Sequence, residues 1–367
     1  MKRIGIDARL INQTGVGSYT RNLLTFLLPL IRDDEEVYIF MRSQDIASYT
    51  EKHDRVHIIQ ADYTWHSFGE QMTFLTFLLS FKLDLMHFTY FSFPMFYPRP
   101  FVITIHDITP LLNTTGKAST KHPLIYHTKH LAYRLLMQAA VYRSSAILTP
   151  THAVETDIIK NFSGVNPQKI HVTYEGISES LSKIKVPTKG SRPYPKSYYL
   201  FVGNFYPHKN IESLLHAFKE VRTTSQLVLA GPEDHFAQHI KDVVNQLHLH
   251  EKVRFIHSPS NEDLAYLYTH AQALVHPSKA EGFGLTLLEA SSFHCPVLAS
   301  DIPVFHETMG DHFTPFDPYD IYSIAAALQH FTDSPQKKFL PAADIERRFS
   351  FKKMAHDTYD IYKEILG

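Results

Sequence analysis

Cysteine is almost missing from this chain: Cys295 is the only one among 367 residues. One thiol excludes an intrachain disulfide and a Cys-based zinc cluster, and it suits a reducing cytosol. Excess charge of either sign is missing too. Lys and Arg number 36 against 37 Asp and Glu, a net charge of −1. That balance argues against a strongly basic nucleic-acid binder and against an acidic disordered tail. Long apolar runs are also lacking. A membrane-spanning helix needs roughly 18 or more apolar residues in succession. The best candidate, Phe68–Phe81, is shorter and interrupted by Glu70 and Gln71, so it reads as a buried helix. The start, Met1–Asp7, has no signal-peptide apolar region.

What is present is a large hydrophobic share, 44%, with 26 Phe, 20 Tyr and an unusual 24 His. A chain of this length exceeds the roughly 250–300 residues at which one core stops growing, so two domains are expected.

Short β-branched runs alternate with helix-like segments. Arg3–Asp7, Val37–Met41, Val56–Ile59, Leu83–His87, Phe101–His106, Ala146–Thr149 and Lys169–Thr173 predict strands; Gly15–Ile31 and Thr151–Asn161 predict helices. Ile184–Ser197, with Pro187, Gly190, Pro193 and Pro195, reads as a linker. The pattern then restarts. Tyr198–Val202, Leu227–Ala230 and Val253–Ile256 predict strands; Asn210–Val221, Glu262–Tyr268, Gly284–Ser292, Ile321–Phe331 and Phe351–Leu366 predict helices. The expected class is α/β, with two Rossmann-like doubly wound domains built from βαβ units. Ligands in such sheets sit at the carboxyl ends of the strands, so the cleft between two such domains is where chemistry is expected.

Three segments carry candidate chemistry. Gly15-Val16-Gly17 after the first strand could bring backbone N–H groups to a phosphate, although alone it fits an ordinary tight turn better. After Val202-Gly203-Asn204, Lys209 stands at a helix start, where its charge could neutralise a leaving diphosphate, and His208 could add a donor. The most informative run is Pro277 to Ala290. Gly282 and Gly284 open a helix whose free N–H groups suit a phosphate. Glu289 follows on that helix among Leu287, Leu288 and Ala290, and a carboxylate there could accept from two ribose hydroxyls. Glu281 precedes the helix and could reach a sugar.

Glu281 and Glu289, seven residues between them, with Gly282-Phe283-Gly284-Leu285 after Pro277-Ser278, resemble the signature of retaining GT-B glycosyltransferases of family 4. Other segments resemble the family in its own order: Ile4–Arg9, Gly15–Tyr19, Thr104–Ile108 with His106, Val172–Gly176, Val202–Asn210, Pro296–Ser300, Pro303–Glu307 and Arg348–Phe351. The likeness is greatest to bacterial mannosyl- and rhamnosyltransferases of surface polysaccharides. It implies an acceptor domain at residues 1–185, a linker at 186–197, a nucleotide-sugar domain at 198–348 and a helix at 349–367 crossing back to the first domain. It implies a GDP-, UDP- or dTDP-hexose as donor, with no divalent metal or other cofactor, and a glycan or polyprenyl-diphosphate-linked glycan as acceptor. Catalytic roles fall on His106, Lys209 and Glu281. Donor contacts fall on Gly15, Gly17, Asn204, His208, Gly282, Phe283, Gly284, Leu285 and Glu289. No nucleophile is assigned, because retention in such enzymes is attributed either to front-face attack or to a covalent intermediate.

Some positions depart from the family. His208 and Asn204 stand where Arg is frequent, Ser18 where an Arg often follows the glycine loop, and Thr286 where Pro is frequent. Competing readings are a non-catalytic sugar-nucleotide-binding subunit, or a GT-B epimerase or phosphorylase. The retained Glu281, Lys209 and His106 argue against the first, and the spacing of the two glutamates against the second.

Two surpluses remain. His235 and His239, and His127 and His130, have spacings that could begin a metal site, but no third ligand follows. From Ile108 to Val154 there is no Asp or Glu, while Lys117, Lys121, Lys129, Arg134 and Arg143 are present. Just before lie Phe88, Tyr90, Phe91, Phe93, Phe96, Tyr97 and Phe101. Basic residues beside exposed aromatics predict an acceptor face suited to an anionic membrane, on the cytoplasmic side. The favoured reading beside it is a buried aromatic loop with a basic outer helix face, the usual fate of such rings.

Overall fold

A computed structural model describes residues 1–13, 15–47, 49, 53–112, 123–184, 186 and 194–367. The chain forms two compact units, one from the chain up to Gly176 together with Phe349–Gly367, the other from Ile177–Arg348.

The first unit's strands are β1 (Lys2–Asp7), β2 (Glu35–Met41), β3 (Val56–Gln60), β4 (Leu85–Phe88), β5 (Phe101–Thr104), β6 (Ala146–Thr149) and β7 (Ile170–Val172). Their order is β3-β2-β1-β4-β5-β6-β7, and all pairs are parallel. β4, β5 and β6 are buried at every residue, which is why they read as unbroken apolar runs rather than alternating ones. The closing helix, Phe351–Leu366, packs against the helix Gly15–Leu27 of this unit, burying Met354, Ala355, Thr358, Tyr359, Ile361 and Tyr362.

The second unit's strands are β8 (Tyr198–Val202), β9 (Gln226–Gly231), β10 (Val253–His257), β11 (Ala273–His276), β12 (Val297–Ser300) and β13 (Thr314–Phe316). Their order is β10-β9-β8-β11-β12-β13, again parallel. In each sheet the chain reverses its direction of growth beside the first strand, between β1 and β4 and between β8 and β11. Such switch points open a crevice at the strands' carboxyl ends.

Several expectations change. Phe68–Phe81 is not one buried helix. A π-type turn, Glu70–Phe74, leads into the helix Leu75–Ser80, and only Glu70, Phe74 and Leu78 of these are buried. Phe68 remains 81% exposed. The turn is anchored by Glu70, whose carboxylate meets Arg9 at 2.7 Å and Ser92 Oγ at 2.7 Å. The helix expected over Gly15–Ile31 begins at Gly15 but ends at Leu27, where a 3-10 turn, Leu28–Leu30, follows. Gly17 faces the Ile11 carbonyl oxygen so closely that a Cβ would lie 2.4 Å away, so its lack of a side chain serves packing. Residues 177–184 pack with the second unit, upstream of the division expected at 185. Most of the linker segment lies outside the described residues.

Of the two readings of the aromatic run, the structure takes the buried one. Phe88, Phe91, Phe93, Tyr97 and Phe101 are each at most 5% exposed and belong to the first unit's core. Phe88 and Phe101 stack edge to face, and both meet Phe93. Of the seven rings only Phe96, at 70%, is open to solvent. Lys117, Lys121 and His122, and the side chains of His127, Lys129 and His130, lie outside the described residues.

Candidate active site

The second unit's switch point gathers the predicted donor-side residues. After β8, the loop Gly203–Tyr206 runs into a 3-10 turn, Pro207–Lys209, and then the helix Ile211–Glu220. Asn210 makes that junction in the left-handed conformation, φ 60°. Its buried amide donates to the carbonyls of Pro277 at 3.1 Å and Pro318 at 2.7 Å, tying the loops after β8, β11 and β13 together. Lys279 N donates to His208 O at 2.8 Å and closes the same seam.

Lys209 and Glu281 are thereby brought into contact. Lys209 Nζ lies 2.6 Å from Glu281 Oε1, with side-chain exposures of 14% and 12%. His276, the last residue of β11, donates to the same oxygen at 2.8 Å. Burial opposes the charge on Glu281, but Lys209 and the His276 donor outweigh it and hold the carboxyl well below its usual range. Glu281 is therefore a fixed anion. Lys209 has three donors, so its contact with Glu281 leaves others for an anionic ligand.

Gly282–Gly284 bends the chain into the helix Leu285–Ser292. Gly284 caps it at φ 88°, a left-handed value that glycine adopts without penalty, and no side chain caps the first turn. A Cβ there would also come 2.9 Å from Phe305. Phe283 is buried. Glu289 lies one turn into the helix, where Tyr268 OH donates to Oε2 at 2.9 Å. Burial raises the Glu289 carboxyl to about 7, against the lowering effect of Tyr268. Asn204, on the loop after β8, has a buried Oδ1 with no hydrogen-bond partner among the described residues.

The first unit carries His106. It follows β5, and its Nε2 lies 3.0 Å from the Thr89 carbonyl oxygen. Its Nδ1 lies 3.3 Å from Glu175 Oε1, with side-chain exposures of 14% and 6%. Tyr19, from the helix opened by Gly15 and Gly17, packs edge-on against the ring at 4.8 Å. Tyr19 OH meets Thr104 Oγ1 at 2.9 Å, and Thr104 Oγ1 meets His87 Nε2 at 2.8 Å. His87 Nδ1 in turn pairs with Tyr362 OH of the closing helix. Burial, with His106 nearby, pushes the His87 imidazole down to about 3, so this chain of polar groups is neutral.

Sequence reasoning missed His276, Tyr268, Asn210 and Glu175. Each acts on a site residue through a partner that the fold brings close, and the four-residue β11 ending in His276 was not read as a strand. Among the described residues no three His, Cys, Asp or Glu side chains form a metal-binding group. His239 instead meets Glu212 at 2.7 Å.

Comparison with known proteins decides the family. The model for Glycosyltransferase Family 4 matches residues 14–181, and that for Glycosyl transferases group 1 matches residues 183–344. O-antigen chain mannosyltransferase RfbU of Salmonella typhimurium is 31% identical over 273 residues, covering 73% of this chain and 72% of that protein. The chain belongs to the family 4 glycosyltransferases.

This glycosyltransferase is also 32% identical over 175 residues to O-antigen chain mannosyltransferase B of Escherichia coli, covering 46% of each. Among solved structures, sucrose-phosphate synthase of Thermosynechococcus elongatus superposes with a TM-score of 0.76 at 17% identity, covering 100% of this chain and 99% of that one. Anabaena HepE in complex with UDP-glucose gives 0.73 at 16%, covering 99% and 100%. The glycosyltransferase thus has the GT-B fold of two Rossmann-like domains, with its closing helix returned to the first.

Proposed function

We propose that the enzyme transfers a hexose of the mannose or rhamnose type from a nucleotide sugar to a glycan of a surface polysaccharide, with retention of anomeric configuration. The observation that carries this reading is the meeting of Lys209, Glu281 and the uncapped helix at Gly284, with Glu289 on the same helix. The O-antigen mannosyltransferases named above support the choice of sugar and acceptor.

In this reading Glu289 accepts from the ribose hydroxyls. The backbone of Gly282–Leu285 holds phosphate and sugar, and Lys209 stabilises the departing diphosphate, with Asn204 and His208 beside it. Glu281 contacts the donor sugar near its reacting carbon, and His106 is the catalytic candidate of the first unit. A cation and a helix N-terminus supply the positive field that a divalent metal would otherwise provide, so transfer proceeds in EDTA.

The acceptor is a glycan on a lipid diphosphate, and the enzyme works at the cytoplasmic face of a membrane. Among the described residues no helix is long and apolar enough to cross one. The contact surface is not the buried aromatic run. It is the exposed stripe of Leu131, Leu135 and Tyr142, flanked by Arg134 and Arg143, with Phe96 nearby: Arg143 donates to the carbonyl of Tyr97 at 3.1 Å.

The test is a panel of GDP-, UDP- and dTDP-hexoses, scored by thermal shift and by transfer to a lipid-linked acceptor, with product configuration read by NMR. A donor that binds the folded state raises the melting temperature. An inverted product, or full activity in Glu281→Ala, overturns the reading. Sedimentation with anionic liposomes checks the surface, and retention of binding in Leu135→Glu/Arg143→Glu rules it out.

A further inference from the structure

His106 was expected from the sequence, whereas His276 was not, and its surroundings are more constrained. The ring is 2% exposed. Phe201 stacks parallel to it at 5.8 Å and 12°, and Phe305 meets it edge-on at 5.6 Å. Its Nε2 lies 2.8 Å from Glu281 Oε1 and 3.1 Å from Ser278 Oγ. Its Nδ1 lies 3.4 Å from Thr286 Oγ1, a long contact in which the hydroxyl can donate.

We propose that His276, kept in its Nε2–H tautomer by Thr286, is the positioning residue that fixes the orientation of Glu281 for sugar transfer. This rests on the donor-site reading above.

A carboxylate only accepts, so the nitrogen facing Oε1 carries the proton. The Thr286 hydroxyl then completes Nδ1 as an acceptor. Burial lowers the imidazole's pKa more than Glu281 raises it, so the ring stays neutral. Lys209 loads the same oxygen of Glu281. Among the described residues nothing reaches Oε2, which is left to receive a hydroxyl of the bound sugar. A carboxylate held at one oxygen by two donors has one orientation, and a misplacement of about 1 Å can cost on the order of 10²-fold in rate. In this chain Thr286, at the opening of the helix, therefore also sets the tautomer at the end of the strand.

The experiment uses the full chain and four variants. His276→Leu removes the donor, while His276→Gln returns an amide donor near the place of Nε2. Thr286→Val removes the hydroxyl at nearly constant volume, while Thr286→Ser keeps it. For His276→Leu, kcat is expected to fall by about 10²-fold while the donor KM changes less than about twofold, because ribose and phosphate contacts are untouched. His276→Gln recovers most of that loss. Thr286→Val lowers kcat severalfold and Thr286→Ser restores it. A wild-type kcat in folded His276→Leu overturns the proposal, as does a loss confined to KM. If His276→Leu fails to fold, a folded but inactive His276→Gln overturns it. Imidazole 15N shifts, assigned against His276→Gln, give a readout independent of activity. They should show Nε2–H in the wild type and a mixture in Thr286→Val. An Nδ1–H ring or an imidazolium in the wild type refutes the tautomer lock even if every donor in the panel proves inactive. Absence of transfer by the wild type refutes only the function reading.

Discussion

Glu289 offers the sharpest test of how this fold trades stability against binding. Its carboxyl is raised by burial to about 7, from an ordinary value of 4.5. At roughly 1.4 kcal/mol per pKa unit, the charged form carries a penalty of at most about 3.5 kcal/mol, less whatever solvent screening removes. The sign follows from the raised value. Below about pH 4.5 the group is protonated in folded and unfolded states alike, and the penalty is absent. Between 4.5 and 7 the unfolded chain ionises first, so stability falls as pH rises, and above 7 the loss is complete. Glu289→Gln removes the titration while keeping an acceptor for Tyr268 OH. The variant should therefore lie within about 1 kcal/mol of the wild type in stability near pH 5 and exceed it by up to about 3.5 kcal/mol at pH 8. Urea unfolding at both pH values measures the difference. The same variant should bind the donor more weakly, because a neutral amide accepts less well from ribose hydroxyls than a carboxylate does. A stability gain that is the same at pH 5 and pH 8 refutes the assignment of the penalty to this group.

Three further outcomes follow from contacts described above. Glu281→Gln keeps the shape but loses the charge facing Lys209, and initial rates should fall by at least about 10²-fold with an unchanged circular dichroism spectrum; a rate near wild type excludes Glu281 from the chemistry. Glu70→Ala strips one carboxylate from the buried Arg9, which also pairs with Asp7 at 2.6 Å, and takes away the acceptor of the Ser92 hydroxyl. It should cost about 3–5 kcal/mol in urea unfolding, and a loss below about 1 kcal/mol contradicts the network. Gly284→Ala places a Cβ at φ 88° and against Phe305, so it should cost at least about 1–2 kcal/mol and weaken donor binding; unchanged calorimetric affinity argues that the helix start does not touch the donor.

The sequence showed what depends on neighbours along the chain and hid what depends on neighbours in space. The central strands of each sheet were legible because burial on both faces leaves a run such as Tyr198–Val202 wholly apolar. β11, β12 and β13 went unread, β12 because it lies inside Pro296–Ser300, a segment read for its likeness to a family. Glu281, Glu289, Lys209 and the glycine bend were legible because one loop and one helix start hold most of the chemistry in a local word.

Orientation was not legible. The aromatic run from Phe88 to Phe101 could be read as a core or, beside a basic segment, as a surface, because composition does not say which way a ring points. Phe88, Phe93, Tyr97 and Phe101 point into one cluster because β4, β5 and the loop between them cover each other. His276 was hidden for the same reason. It lies five residues before Glu281, a spacing without meaning until β11 ends and the chain turns back at Pro277-Ser278 to place Oε1 2.8 Å from Nε2. Thr286, noted only as a departure from relatives, gains a role through that ring. Glu175 reaches His106 across 69 positions in the same way. In both units a motif residue that sequence can find is held by a buried polar partner that it cannot. Variation among such partners is therefore a route by which two chains with the same motif come to differ in specificity.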